Sequence, residues 1–169
     1  MGFDIGVLSL DGEPKLEILG TPFQELHPSL SPDGRWLAYT SNESGQREVY
    51  VLPFPDVNDG KWQISTGGGG EPIWSRNGIE IFYRNADKMM AVPVSAEAVF
   101  TPGKPIELFE GRYAVDPFSN DMHNYDVTAD GQAFVMIREF WGNELQSGID
   151  TITLVQNWFE ELKRLVPTN

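Results

Sequence analysis

The sequence predicts an all-β fold, and within that class a β-propeller. Three observations carry the prediction. A tight turn, Pro32-Asp33-Gly34, sits between two runs of strand-forming residues and recurs as Asn77-Gly78 and as Asp130-Gly131. The copies follow one another at about 40–50 residues, the length of a four-stranded propeller blade. The run after the turn is almost wholly apolar or aromatic in Trp36-Leu37-Ala38-Tyr39 and in Ile79 to Tyr83, as strands covered on both faces require. A β-helix, the competing repeat fold, has shorter repeats and lacks paired strands around Asp-Gly turns.

Taken in order, Ile5 to Leu10 and Lys15 to Leu19 flank Asp11-Gly12 and read as a hairpin, so residues 3–20 make half a blade. Residues 26–70 make a full blade, with strands near 28–31, 35–41, 47–53 and 61–66 and the run Gly67 to Gly70 as a flexible connector. Residues 71–110 make the next, with Pro72-Ile73-Trp74 before the Asn-Gly turn, Ile79 to Tyr83 after it, then Met89 to Val94 and Pro105 to Phe109. Residues 111–156 form a blade with an insert, Glu110 to Met122, followed by His123 to Ile137 around the third turn and Thr151 to Val155 as a further strand. Asn157 is placed to cap a short C-terminal helix over 157–166, with Trp158, Phe159, Leu162, Leu165 and Val166 on one face and Pro167 as the stop. These strands amount to about three four-stranded blades plus the N-terminal hairpin, part of a ring of about six to eight blades. Open blade faces and strand edges invite association, and a two-fold homodimer that completes the ring is the expected way of covering them.

Composition narrows the partners. The chain has 25 acidic and 12 basic residues among 169, a net charge of −13, which repels phosphate backbones and anionic lipid and argues against nucleic-acid binding. With no cysteine, disulfides, thiolate metal sites and cysteine nucleophiles are excluded. No apolar run approaches the length of a transmembrane helix, and the Met1-Gly2-Phe3-Asp4 start lacks the charged region of a signal peptide, so no membrane insertion is expected.

No catalytic constellation stands out. Gly67 to Gly70 is followed by Glu71-Pro72 rather than by the Lys-Ser/Thr of a phosphate-binding loop. Ser119, His123 and Asp126 supply the residue types of a hydrolytic triad, but no G-x-S-x-G elbow accompanies them. Asp116, Asn120, Asp121, Asn124 and Asp126 are hard oxygen donors in a short span, without the glycine and terminal glutamate of a calcium loop, and read as a solvated insert. Two histidines, His27 and His123, make no usual zinc set and read as structural hydrogen-bonding groups. Neither a metal nor a cofactor is assigned. The candidate site comes from repeat equivalence instead. Counted back from each turn, His27, Glu71 and Asn124 fall at one position, at the start of the innermost strand, and are expected to converge on the mouth of the channel. The insert beside them offers Tyr113, Asp116, Asp121 and Asp126 as further contacts.

The run His27-Pro28-Ser29-Leu30-Ser31-Pro32-Asp33-Gly34-Arg35-Trp36-Leu37-Ala38-Tyr39-Thr40-Ser41, with Glu48-Val49-Tyr50-Val51 after it, resembles the WD40-like repeat of TolB-type propellers. Pro72-Ile73-Trp74-Ser75 with Asn77-Gly78 is a second, less complete copy, and Thr128-Ala129-Asp130-Gly131 a third, looser one. The ending Val155 to Leu165 also looks like the tail of bacterial proteins that fuse a serine/threonine kinase to such a propeller, although no kinase motif is present. The resemblance implies a non-enzymatic protein-interaction or ligand-sensing module that binds a protein or a small polar ligand. It also implies the C-terminal half of a larger bacterial protein, on the periplasmic side of the membrane. The alternative is the substrate-gating propeller of a prolyl-oligopeptidase-like hydrolase.

Overall fold

The structure is a computed structural model that describes residues 3–10, 16–95, 99–114 and 122–137. The expected helix over 157–166, the strand Thr151 to Val155 and the insert residues 115–121 lie outside the described residues. Within them the regular structure is entirely β, thirteen strands in antiparallel sheets. Strands β1 (Ile5–Val7) and β2 (Leu16–Leu19) pair as a hairpin. Strands β3 (Glu25–Leu30), β4 (Trp36–Ser41), β5 (Glu48–Pro53) and β6 (Trp62–Gln63) follow in spatial order as a meander. A second meander runs β7 (Gly70–Trp74), β8 (Glu80–Asn85) and β9 (Lys88–Ser95), whose far edge is shared by β10 (Thr101–Pro102) and β11 (Ile106–Glu110). A third begins with β12 (Tyr125–Val127) and β13 (Phe134–Met136).

The same hydroxyl builds each turn between the first two strands of a meander. In the first, Ser31 Oγ donates to Asp33 Oδ1 at 2.6 Å and accepts the Trp36 amide at 3.0 Å, while the Gly34 amide donates to the Ser31 carbonyl at 2.8 Å. Ser75, Asn77, Gly78 and Glu80 repeat this pattern, and so do Thr128, Asp130, Gly131 and Ala133. All three glycines take a left-handed backbone, with φ of 71°, 74° and 70°, a region closed to most side chains. The Ser31 hydroxyl, helped by the Arg35 amide and guanidinium, holds the Asp33 carboxyl down to about 2.

With register set this way, alternate residues of each sheet face different neighbours. Leu37 and Tyr39 of β4, with Tyr50 and Leu52 of β5, pack on Ile5 of the N-terminal hairpin. Trp36, Ala38, Val49 and Val51 point the other way, onto Ile81, Tyr83 and Val92 of the second sheet. The opposite face of that sheet, Phe82, Met89 and Ala91, meets Tyr125 and Phe134 of the third. Sheets that use both faces in this manner, stacked side by side, are propeller blades. Trp36 packs against Phe100 and Trp62 at 5.1 and 5.6 Å between ring centroids, with Trp74 on the far side of Phe100 at 6.2 Å. The Trp74 indole N–H donates to the carbonyl of Ser29 at 3.1 Å and so stitches the second sheet to the first.

Three details depart from the sequence reading. His27 and Glu71 lie within their strands, not at the start, because each occupies a β-bulge with left-handed φ of 54° and 56° that lets the strand continue on either side. Strand β6 stops after Gln63, since at Ser65 the side-chain hydroxyl takes the Val49 amide at 2.8 Å in place of a backbone carbonyl. The connector Gly67 to Gly70, expected to be flexible, is tied to the first sheet. The Gly68 amide donates to Glu48 Oε1 at 2.9 Å and the Gly69 amide to the Arg47 carbonyl at 2.9 Å.

Glu80 occupies the position of Trp36 one repeat on, and burial without a compensating charge pushes its carboxyl up from 4.5 to about 7. A carboxyl whose folded value is raised stabilises the fold below its unfolded value, and that contribution is lost as pH rises through the folded one. Glu80→Gln should therefore flatten the pH dependence of stability between about pH 4.5 and 7. At pH 8 it should add about 1–3 kcal/mol, read by chemical denaturation. In the aromatic cluster, Trp36→Ala and Trp74→Ala should each cost about 3–5 kcal/mol. Among the described residues Trp36 Nε1 has no hydrogen-bond partner, so Trp74→Phe should cost about 1 kcal/mol more than Trp36→Phe in the same assay.

Candidate ligand cleft

The inner strands β3 and β7 lie side by side, and their matching bulges put His27 and Glu71 at equivalent places in adjacent sheets. The Glu71 amide donates to Thr40 Oγ1 of the first sheet at 3.2 Å, and the same hydroxyl meets His27 Nδ1 at 3.2 Å. On its other side Glu71 holds the third sheet. Its Oε2 accepts the Asn124 amide at 2.7 Å, its Oε1 accepts Asn124 Nδ2 at 3.4 Å, and its carbonyl accepts the Tyr125 hydroxyl at 2.7 Å. His123 Nε2 lies 3.2 Å from the Pro72 carbonyl, which requires that nitrogen to carry the proton, and its ring stands edge-on to His27 at 5.2 Å. The residues that repeat counting singled out are thus brought together. His27 and Asn124 are 5% and 7% exposed and are engaged with other protein groups, whereas Glu71 is half-buried.

A cleft of about 340 Å³ opens beside this junction, lined by His27, Gln46, Arg47, Glu71, Arg84 and Asn85 together with the backbone of Gly68 to Gly70. Arg84 stands on β8 where Thr40 stands on β4, and each side chain reaches the following sheet. The guanidinium donates through Nη1 to the carbonyl of Ala114 at 2.8 Å and through Nη2 to that of Ala86 at 2.8 Å. Its presentation depends on another left-handed residue, Ala86, with φ of 53°. The glycine wall is packed from behind. Glu48, 1% exposed, accepts from Ser65 Oγ at 2.5 Å, Gln46 Nε2 at 2.6 Å and the Gly68 amide. Gly69 sits so close to this cluster that a Cβ there would fall 2.2 Å from Ser65 Oγ.

The remaining candidates lie apart. Tyr113 is half-buried, edge-on to Phe109 at 5.8 Å. Asp126 is exposed and accepts the Val127 amide at 2.8 Å. Neither lines the cleft, and Asp116, Ser119 and Asp121 lie outside the described residues. A second recess, of about 450 Å³, lies along β5 and β6 between Phe23, Tyr50 and Gln63, where Lys61 and Glu43 neutralise each other at 2.6 Å. Among the described residues no group of three or more His, Asp or Glu side chains is placed to hold a metal ion. Sequence counting missed Arg84 and the tie through Thr40, although both stand seven residues beyond the Asp or Asn of their turn.

Consecutive antiparallel meanders, adjoining at their inner strands and sharing both faces, define the class: a β-propeller with a polar cleft between two of its blades. No family model matches the chain, and no curated protein does. Among solved structures it is similar to a TolB-type protein from Agrobacterium tumefaciens, with 19% identity, 63% of this chain and 41% of that one covered, and a TM-score of 0.49. It is also similar to TolB from Acinetobacter baumannii, with 14% identity, 81% and 43% covered, and a TM-score of 0.41. The chain spans about two fifths of the length of these two structures.

The cleft wall supplies a test of its own. Gly69→Ala should lower stability by about 1–3 kcal/mol as the new methyl displaces Ser65 from Glu48. Thermal or urea denaturation reads the loss.

Proposed function

We propose that the chain is a non-enzymatic binding module whose ligand, a peptide or small polar molecule, enters the cleft beside His27, Glu71 and Asn124. The observation that carries this reading is the cleft's make-up: cationic, anionic and amide side chains stand around the backbone of Gly68 to Gly70, the kind of convergent polar lining that a peptide or small polar molecule requires. The net charge of −13 favours a partner that is itself basic overall, drawn in by the long-range field. Binding is favoured over catalysis because the His123 ring is directed at the Pro72 carbonyl and Asp126 at its neighbour's amide, so neither is aimed at the other.

The test is a titration of isotope-labelled protein with short Lys-Ala peptides, followed by amide chemical shifts. Shifts centred on Gly68 to Gly70, Glu71 and Arg84 are expected. Shifts confined to the segment around Tyr113 and Asp126 would move the site there. Peptide or ester turnover that disappears in Ser119→Ala or His123→Ala would replace the binding reading with a hydrolytic one.

A further inference from the structure

We propose that Arg84 is a carboxylate-binding group and that the cleft takes the free C-terminus of a peptide. The inference rests on the cleft being the ligand site and names what is recognised there. It starts from burial: Arg84 is only 5% exposed. A charge so far removed from water is costly unless paired, yet among the described residues no carboxylate lies within ion-pair distance of it. Glu71 is the one acidic side chain among the described residues lining the cleft, and both its oxygens are turned to Asn124 of the third sheet. Two of the five guanidinium N–H donors are spent on the carbonyls of Ala114 and Ala86. Those bonds hold the plane of the group and leave the remaining donors to a ligand. A planar fork fixed in this way matches a carboxylate bidentately.

The surroundings choose among anions and among carboxylates. With Glu71 in the same cleft and −13 on the chain, a singly charged planar anion is favoured over a phosphate dianion, which would carry more charge into a repulsive field. The Asn85 side chain beside the glycine wall offers an amide group to the peptide bonds that precede a chain end. A basic peptide that ends in a free carboxylate satisfies both the long-range attraction and the local cation.

The experiment compares a short Lys-Ala peptide bearing a free C-terminal carboxylate with the same peptide amidated, with the amidated peptide carrying one internal Asp, and with inorganic phosphate. All are titrated into the wild-type chain with the Gly68 to Gly70 amides as the readout. The free acid should bind about tenfold or more tightly than the amide, and Arg84→Lys should narrow that acid-to-amide ratio. A thermal melt establishes that this variant is folded, and the acid-against-amide comparison needs no variant at all. Equal affinity of acid and amide, with shifts still in the cleft, would overturn carboxylate recognition and leave the cleft as the ligand site. Tighter binding of the internal-Asp amide, or of phosphate, would overturn recognition of the chain end. Shifts outside the cleft would overturn both readings.

Discussion

The hydroxyl of Ser31, repeated as Ser75 and Thr128, is the constraint on which the rest of the arrangement depends. By accepting the amide five residues ahead and donating to the Asp or Asn two residues ahead, it fixes where the first strand of each meander ends and where the second begins. In a sheet with a side-chain period of two, that register decides which residues face which neighbour, and a slip of one position would send every buried side chain to the wrong face. Leu37 and Ile81 each face the preceding sheet, and Ala38 and Phe82 the following one, because the turn before them starts the count at the same place.

A second constraint acts at the inner strands. The bulges at His27 and Glu71 hold non-glycine residues in the left-handed region, a strain of about 1–3 kcal/mol that persists only where surrounding contacts over-determine it. Those contacts are visible: Thr40 takes the Glu71 amide and meets His27, and Asn124 and Tyr125 grip Glu71 from the third sheet. The bulge turns the side chain out of the strand's own alternation and toward the adjoining sheet, so the strained residues also carry the polar links between blades.

Buried charge is distributed unevenly around this junction. Glu48 accepts three hydrogen bonds and serves as the post to which the glycine connector is tied. Glu80 has no such donors among the described residues, and burial raises its proton affinity. Arg84 falls between these cases, with two carbonyl acceptors and a place in the lining of the cleft. Of the three, it is the one that lines the cleft.

The sequence by itself determined the repeat, the all-β class, the turns and the equivalence of His27, Glu71 and Asn124, because all of these depend on interactions spanning a few residues and on a side-chain period of two. The Ser/Thr-x-Asp/Asn-Gly pattern is legible for the same reason, since its hydrogen bonds close within the turn. Only the tertiary structure decided what the equivalent residues do. Their partners come from neighbouring sheets, as when Glu71 meets Asn124 53 positions away, and at those positions the repeats differ: Thr40 in one blade is Arg84 in the next. A contact between unlike repeats follows from neither repeat alone. For that reason the positions were readable one blade at a time, whereas the cleft, its glycine wall and its buried guanidinium emerged only once the blades were packed together.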